Sequence, residues 1–309
     1  MGANILLELA GRGRNVVACD YLQPPDALVR EAETAPGEVT WADLDVRSAS
    51  DWDRLPRYDY DEVIHAAALT PGSDDTKTLP TAEVNMVGAL RAMEWSLGRG
   101  ADRFVFVSSS AVYRGFEATA PMREDSILQP EFSYGILKLA TEGLLAEYRE
   151  RRGLDSCSVR LPSLFGPWER PTGSRDNMSV IYHVCRAAIS GQPLTVAAAK
   201  LRRDWLYVRD AARGLVHLAS LRGGPPLINL GTGELTAIEQ VVDHLDELLP
   251  RHGVVSTTGL EEGISDITVA RGEAQPMAVD VLRKSGFVAD TPLGVALAEY
   301  LEWLREHPE

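Results

Sequence analysis

Only three cysteines occur in the 309 residues: Cys19, Cys157 and Cys185. They are odd in number and widely spaced, and no Cys-x-x-Cys or Cys/His cluster accompanies them. That pattern excludes a disulfide framework and a structural zinc site. Cys19 and Cys157 lie in apolar runs and read as core residues. No apolar run approaches the length of a membrane span. The N-terminus lacks a basic stretch followed by an apolar one, so no secretory signal is read and the cytoplasm is the expected compartment. Positive charge is also scarce: 31 Lys and Arg stand against 45 Asp and Glu, a net charge of −14. A broad basic surface for nucleic acid is thereby excluded, whereas a local basic pocket for a phosphorylated ligand is not.

What is present is an alternation of helix-like and strand-like segments. Residues 4–10 read as an amphipathic helix, ended by Gly11 and Gly13. Residues 16–19, running up to Asp20, form a short apolar strand. Residues 38–44 and 63–65 are further strand candidates, and 82–98 reads as a helix. Phe104-Val-Phe-Val107 is the clearest buried strand, because four consecutive large apolar residues need both faces covered. Residues 134–151 read as a long helix and 156–161 as another strand. This spacing indicates βαβ units and a parallel sheet. After Gly166 the alternation is lost, apart from a strand at 227–230 and helices at 238–249 and 292–305. A boundary is therefore placed near 165. Residues 1–165 are expected to form a cofactor domain and 166–309 a smaller, irregular substrate-binding region, with some segments returning to the first domain.

The strongest chemical signal is Tyr134-Gly-Ile-Leu-Lys138. Residues four apart share a helix face, so the phenol and the ammonium point to one place. A nearby positive charge favours a phenolate, which can then serve as a general acid/base near neutral pH. By itself the spacing also fits a solvated helix face. Its context is the strand ending in Ser108-Ser109-Ser110, because ligands of parallel α/β sheets bind beyond the carboxyl ends of strands. His65, inside a strand end, reads as structural rather than catalytic.

A strand ending in Ser-Ser-Ser, followed by Tyr-x-x-x-Lys, resembles the extended short-chain dehydrogenase/reductases, the NAD-dependent epimerase/dehydratase family. The resemblance covers nearly the whole chain. It implies a Rossmann-type doubly wound parallel sheet, NAD as cofactor, a nucleotide-sugar substrate (a UDP-sugar) and a homodimer. It assigns catalysis to Ser109, Tyr134 and Lys138. Ser109 and Tyr134 are 25 residues apart, as in UDP-galactose 4-epimerases. Asp20 falls where a carboxylate takes the adenosine ribose hydroxyls, which favours NAD over NADP. Asp45 and Val46 resemble the pair at the adenine. Ala66, Ala67, Ala68 and Thr70 resemble the segment beside the pyrophosphate. Asn85 and Pro162 match positions near the cofactor, as do Tyr134 and Lys138 themselves. On the substrate side the resemblance places Ser109, Ser110, Asn177, Arg203 and Arg271. Arg203 would contact the diphosphate, with a surface ion pair as its other reading. Arg271, in Ala-Arg-Gly-Glu, is displaced by one position from the family's arginine. Asn229-Leu-Gly-Thr-Gly233 matches a structural turn.

The sequence departs from the family at its start. The family opens with a strand and a Gly-x-x-Gly-x-x-Gly loop that admits the pyrophosphate to a helix N-terminus. Here Gly2 matches the last glycine, and about ten to twelve residues of the pattern have no counterpart. Either the start is placed downstream of the pattern or the chain lacks these elements. In the second case the neighbouring strands would carry open ladder edges. Four functional readings are weighed from the resemblance. An epimerase acting at C4 is favoured over a sugar dehydrogenase or ketosugar reductase. A 4,6-dehydratase is disfavoured, because Ser110-Ala111 replaces the Asp-Glu pair it needs. A cofactor-binding, non-catalytic homologue is the alternative from another class.

Overall fold

The computed structural model describes residues 1–70, 77–113, 120–173, 178–192, 194–197, 201–249, 254–257 and 275–308. Helix α1 (Gly2–Gly11) leads into β1 (Val16–Asp20), α2 (Asp26–Glu33), β2 (Val39–Asp43), α3 (Ala49–Arg54) and β3 (Glu62–His65). Next come α4 (Thr78–Ala82), a π-helical turn (Glu83–Val87), α5 (Gly88–Arg99) and β4 (Arg103–Ser109). A 3-10 turn (Ser110–Tyr113), α6 (Ser133–Arg152), β5 (Ser156–Leu161) and β6 (Ser163–Phe165) complete the first part. The second part comprises α7 (Val180–Ser190), β7 (Leu194–Ala197), β8 (Arg202–Arg203), β9 (Trp205–Tyr207), α8 (Val208–Ser220), β10 (Leu227–Asn229) and β11 (Thr236–Ala237). It ends with α9 (Ile238–Leu248), β12 (Val254–Thr257), α10 (Asp280–Lys284) and α11 (Leu293–Glu306).

The central sheet is parallel, in the order β10-β5-β4-β3. Alternation along β4 explains why it is apolar throughout. Val105 packs with Cys157, Val159, Leu215 and Ile5 on the face covered by α8 and α1. Phe104 and Phe106 pack with Ala89, Met93, Leu145 and Tyr148 on the face covered by α5 and α6. Each such buried side chain contributes about 1.5–3 kcal/mol. A third core joins α7, α9 and α11 through Ile181, Val184, Val241, Leu245, Leu297 and Leu301. The later part does return to the first: β10 extends the central sheet beside β5, and α8 covers its face.

The sheet is not continuous. β1 and β2 form a separate parallel pair. Among the described residues, β1 and β3 each have one edge without a strand partner. Arg14, just before β1, reaches Glu62 at 3.2 Å and Asp61 at 3.4 Å, at the start of β3. The two edges therefore start side by side, with a cleft of about 1520 Å³ between the strands. These are open ladder edges. They also correct the reading of Cys19 as core. Cys19 is exposed, because its strand borders the cleft rather than another strand. Desolvation by its surroundings, followed by the charge of Asp20, pushes its thiol up to about 11.

The expected helix at 82–98 is longer and interrupted. It begins at Thr78, and the π-helical turn buries Asn85 completely. At the restart, a Cβ on Gly88 would lie 2.6 Å from Val46 Cγ2. The absent side chain is what lets the loop after β2 close onto the helix.

Candidate active site

Ser109 ends β4, and Ser110 opens the turn that follows. Both are half-buried. Ser109 Oγ accepts a hydrogen bond from the Ala111 amide at 3.2 Å. Tyr134 lies in the first turn of α6. Gly135 brings that turn against the serines, since a Cβ there would stand 2.6 Å from the Ala111 carbonyl oxygen. Lys138, one turn later, is 2% exposed. Its Nζ donates to the Val107 carbonyl at 2.8 Å and stands 5.7 Å from the centre of the Tyr134 ring. Burial drives the ammonium down to about 7, with Glu142 opposing the shift. The start of α6 thus sets Lys138 beside Tyr134, and the close approach at Gly135 holds that turn against the one that follows Ser109 at the end of β4.

His65 ends β3, stacked near Phe104 and Phe106 at centroid distances of 6.3 and 6.2 Å. Burial, then the charge of Lys138, pushes its imidazole down to about 3. It is a neutral wall residue at ordinary pH. Its Nε2 is buried without a hydrogen-bond partner.

The cleft collects residues that lie far apart in sequence. Gly2, Asp20, Asp45, Val46, Ala66, Ala67 and Ala68 all line it. Helix α1 begins at Gly2 with no side-chain capping bond, so its first amides have no intrahelical acceptor. An anion suits that end. Asp20, at the carboxyl end of β1, is exposed and accepts a hydrogen bond from the Leu22 amide at 3.0 Å. A helix terminus for a pyrophosphate and a carboxylate for ribose hydroxyls on one cleft fit a dinucleotide.

Other expected contacts are redirected. The Asp45 carboxylate pairs with Arg47 at 2.6 Å, and that hydrogen bond holds it below the usual carboxylate range. Val46 packs against the restart of the helix, and its carbonyl accepts from Trp52 Nε1 at 3.0 Å. The Asn85 amide is spent on one residue. It donates to the Leu69 carbonyl at 2.9 Å and accepts from the Leu69 amide at 2.7 Å. Asn85 therefore pins the segment from Ala66 to Thr70 and does not reach into the cleft. Thr70 and Pro162 are half-buried, Pro162 between β5 and β6. Arg203 donates to the Arg202 carbonyl at 2.8 Å on β8. Asn177 and Arg271 lie outside the described residues.

The Asn229–Gly233 turn is structural, as read from the sequence. Asp204 is buried beneath it and accepts from the Thr232 amide and hydroxyl at 3.0 and 2.8 Å. Burial pushes the Asp204 carboxyl up, against those hydrogen bonds. A Cβ on Gly231 would meet Asp204 Oδ2 at 2.7 Å.

Two features escaped the sequence reading. Trp168 lines the cleft with a backbone φ of 66°, a strained value for a bulky residue. Glu142 and Arg160 form a buried ion pair at 2.7 Å behind Lys138. The only available signal for the pair was a charge at each of two buried positions, one on a helix and one inside an apolar strand.

The model of the NAD-dependent epimerase/dehydratase family matches residues 1–231. A UDP-glucose 4-epimerase of Azospirillum brasilense is 30% identical over 265 residues, 80% of this chain and 74% of the relative. The solved structure of MoeE5 with UDP-glucuronic acid and NAD is 29% identical, with a TM-score of 0.78 over 99% of this chain and 95% of that one. The UDP-glucose 4-epimerase of Thermotoga maritima, solved with UDP-glucose, shares the fold at a TM-score of 0.81. It is 21% identical and covers 99% of this chain and 95% of its own.

Proposed function

Because this chain belongs to the NAD-dependent epimerase/dehydratase family, we propose that it is a nucleotide-sugar epimerase acting at C4 of a UDP-sugar. The observation that supports this reading is Lys138, bonded to the Val107 carbonyl of β4 and standing 5.7 Å from the centre of the Tyr134 ring one turn away on α6. The relatives named above, with their UDP-glucose and UDP-glucuronic acid, support the substrate class. NAD, bound along Gly2, Asp20 and the Ala66–Ala68 segment, supplies a hydride acceptor that can return what it takes.

The residues then have distinct tasks. Tyr134, as phenolate, removes the proton from the sugar C4 hydroxyl and later gives it back. Lys138 stabilises the phenolate through its charge. Ser109 Oγ, which accepts from the Ala111 amide, donates its own O–H to the reacting oxygen. Ser110 and Ala111 leave no acid or base next to Ser109 for a dehydration. A net dehydrogenase would use the same three groups, so stoichiometry separates the two.

The test is to incubate the protein with NAD and UDP-glucose or UDP-glucuronic acid, then follow product stereochemistry and reduced-nicotinamide absorbance. Epimer without net NADH is expected, whereas NADH in proportion to sugar consumed would refute the assignment. Tyr134→Phe should lower kcat by about 10²–10⁴ with an unchanged circular dichroism spectrum. Turnover at the parent rate in that variant would remove Tyr134 from the mechanism.

A further inference from the structure

Lys138 sits in a place that disfavours its own charge. It is 2% exposed and packs 4.7 Å from the centre of the Phe106 ring. The groups around it come from three strands and one helix. From β3 it faces His65, which burial keeps neutral. From β4 it meets the Phe106 ring and the Val107 carbonyl. On its own helix it has Tyr134 and, one turn on, Glu142. From β5, Arg160 reaches Glu142. Among the described residues, Glu142 is the carboxylate whose charge favours the Lys138 ammonium.

Glu142 cannot swing away. Arg160 holds both of its oxygens, with Nε at 3.0 Å from Oε1 and Nη2 at 2.7 Å from Oε2. Ser108 Oγ donates to Oε1 at 2.5 Å. Arg160 is itself fixed, donating through Nη1 to the Tyr113 hydroxyl at 2.6 Å and the Glu124 carbonyl at 3.2 Å. The Tyr113 hydroxyl donates on to Asn229 Oδ1 at 2.9 Å. Ser108 precedes Ser109 on β4, and successive strand residues point to opposite faces. Ser108 therefore ties the strand end to α6.

Taking Tyr134 and Lys138 as the acid/base pair proposed above, we propose that Glu142 is a positioning residue for catalysis: clamped by Arg160 and Ser108, it keeps Lys138 charged beside Tyr134. Two proton arrangements of the pair compete. Phenolate with ammonium is active, and phenol with neutral amine is not. Glu142 is one turn from Lys138 and two from Tyr134, so its charge favours the ammonium more than it disfavours the phenolate. Without that charge, burial would act on Lys138 unopposed and Arg160 would lose its partner, and the amine would give up its proton first. A buried ion pair is by itself weak evidence for a contribution to stability, so a scaffolding role and this electrostatic role need separating.

Glu142→Gln separates them, since it keeps the shape and a hydrogen-bond acceptor but removes the charge. The chain has only four lysines, Lys77, Lys138, Lys200 and Lys284, so each can be titrated by NMR after lysine-selective carbon labelling. Lys138 should titrate lower in the variant by about one pH unit or more. In the sugar assay kcat should fall by about tenfold or more with KM nearly unchanged, and the alkaline limb of the kcat profile should move to lower pH by the same amount. A folded Glu142→Gln protein whose Lys138 titrates as in the parent overturns the proposal. The titration needs no substrate, so it stands even if the sugar assay shows no epimerisation, which would refute the proposed activity alone. Should Glu142→Gln fail to fold, Glu142→Asp draws the same charge back by one methylene. A smaller shift in the same direction is then expected, and an unshifted Lys138 in that folded variant likewise overturns the proposal.

Discussion

The neutral imidazole of His65 makes the protein acid-sensitive in a defined window. In the unfolded chain a histidine titrates near its ordinary value of 6.5, whereas in the fold burial and Lys138 push it to about 3. Between these values the unfolded chain binds a proton that the native state refuses. Stability is therefore complete above the unfolded value and is lost as pH falls toward the folded one. Each pH unit within the window costs about 1.4 kcal/mol, so lowering the pH from 7 to 4 costs roughly 3 kcal/mol through this group alone. That is a large share of the roughly 5–15 kcal/mol that stabilises an ordinary domain. Carboxylates add their own acid dependence, so the measurement must be a difference. Urea unfolding of the parent and of His65→Leu at pH 7 and pH 4 supplies it, since leucine suits the Phe104 and Phe106 rings and does not titrate. The variant should lose about 3 kcal/mol less on acidification than the parent. Equal losses, within about 0.5 kcal/mol, would mean that the native imidazole accepts a proton freely and that its place in the fold has been misread.

The helix start and the cofactor carboxylate give further outcomes. Gly135→Ala sets a methyl 2.6 Å from the Ala111 carbonyl oxygen. Relief requires moving backbone, so about 1–3 kcal/mol of stability should be lost in thermal or urea unfolding, with kcat falling as Tyr134 shifts. An unchanged midpoint and kcat would show that the contact is slack. Asp20→Ala should weaken NAD binding by about tenfold to a hundredfold in calorimetry, through loss of hydrogen bonds to a charged acceptor. It should weaken NADP binding less, and equal losses for both would argue against Asp20 as the ribose ligand.

Much of the site could be read from short stretches of chain. The four apolar residues from Phe104 required a strand covered on both faces, and Val105 and Phe106 do bury on opposite sides. Tyr134 and Lys138 share a helix face because of helical periodicity alone. Later helices were harder to see. α8 buries Ala211, Ala212, Gly214 and Ala219 against the sheet, and small residues give a weak apolar signal even when fully buried. The partners of Asp45 and Asn85, Arg47 and Leu69, depend on how loops close, which no local period encodes.

Local pattern and spacing were enough for most of the order of strands and helices and for the helix face shared by Tyr134 and Lys138, because these depend on neighbours in sequence or on one helix turn, and the resemblance to the family added the expected roles of Ser109 and Asp20. The folded chain alone settled which groups surround them. Glu142, Arg160 and Ser108 come from a helix and two strands, and they meet because the parallel register sets Ser108 beside Arg160. Burial and charge pairing are properties of elements packed together, and they decide here which side chains keep a proton.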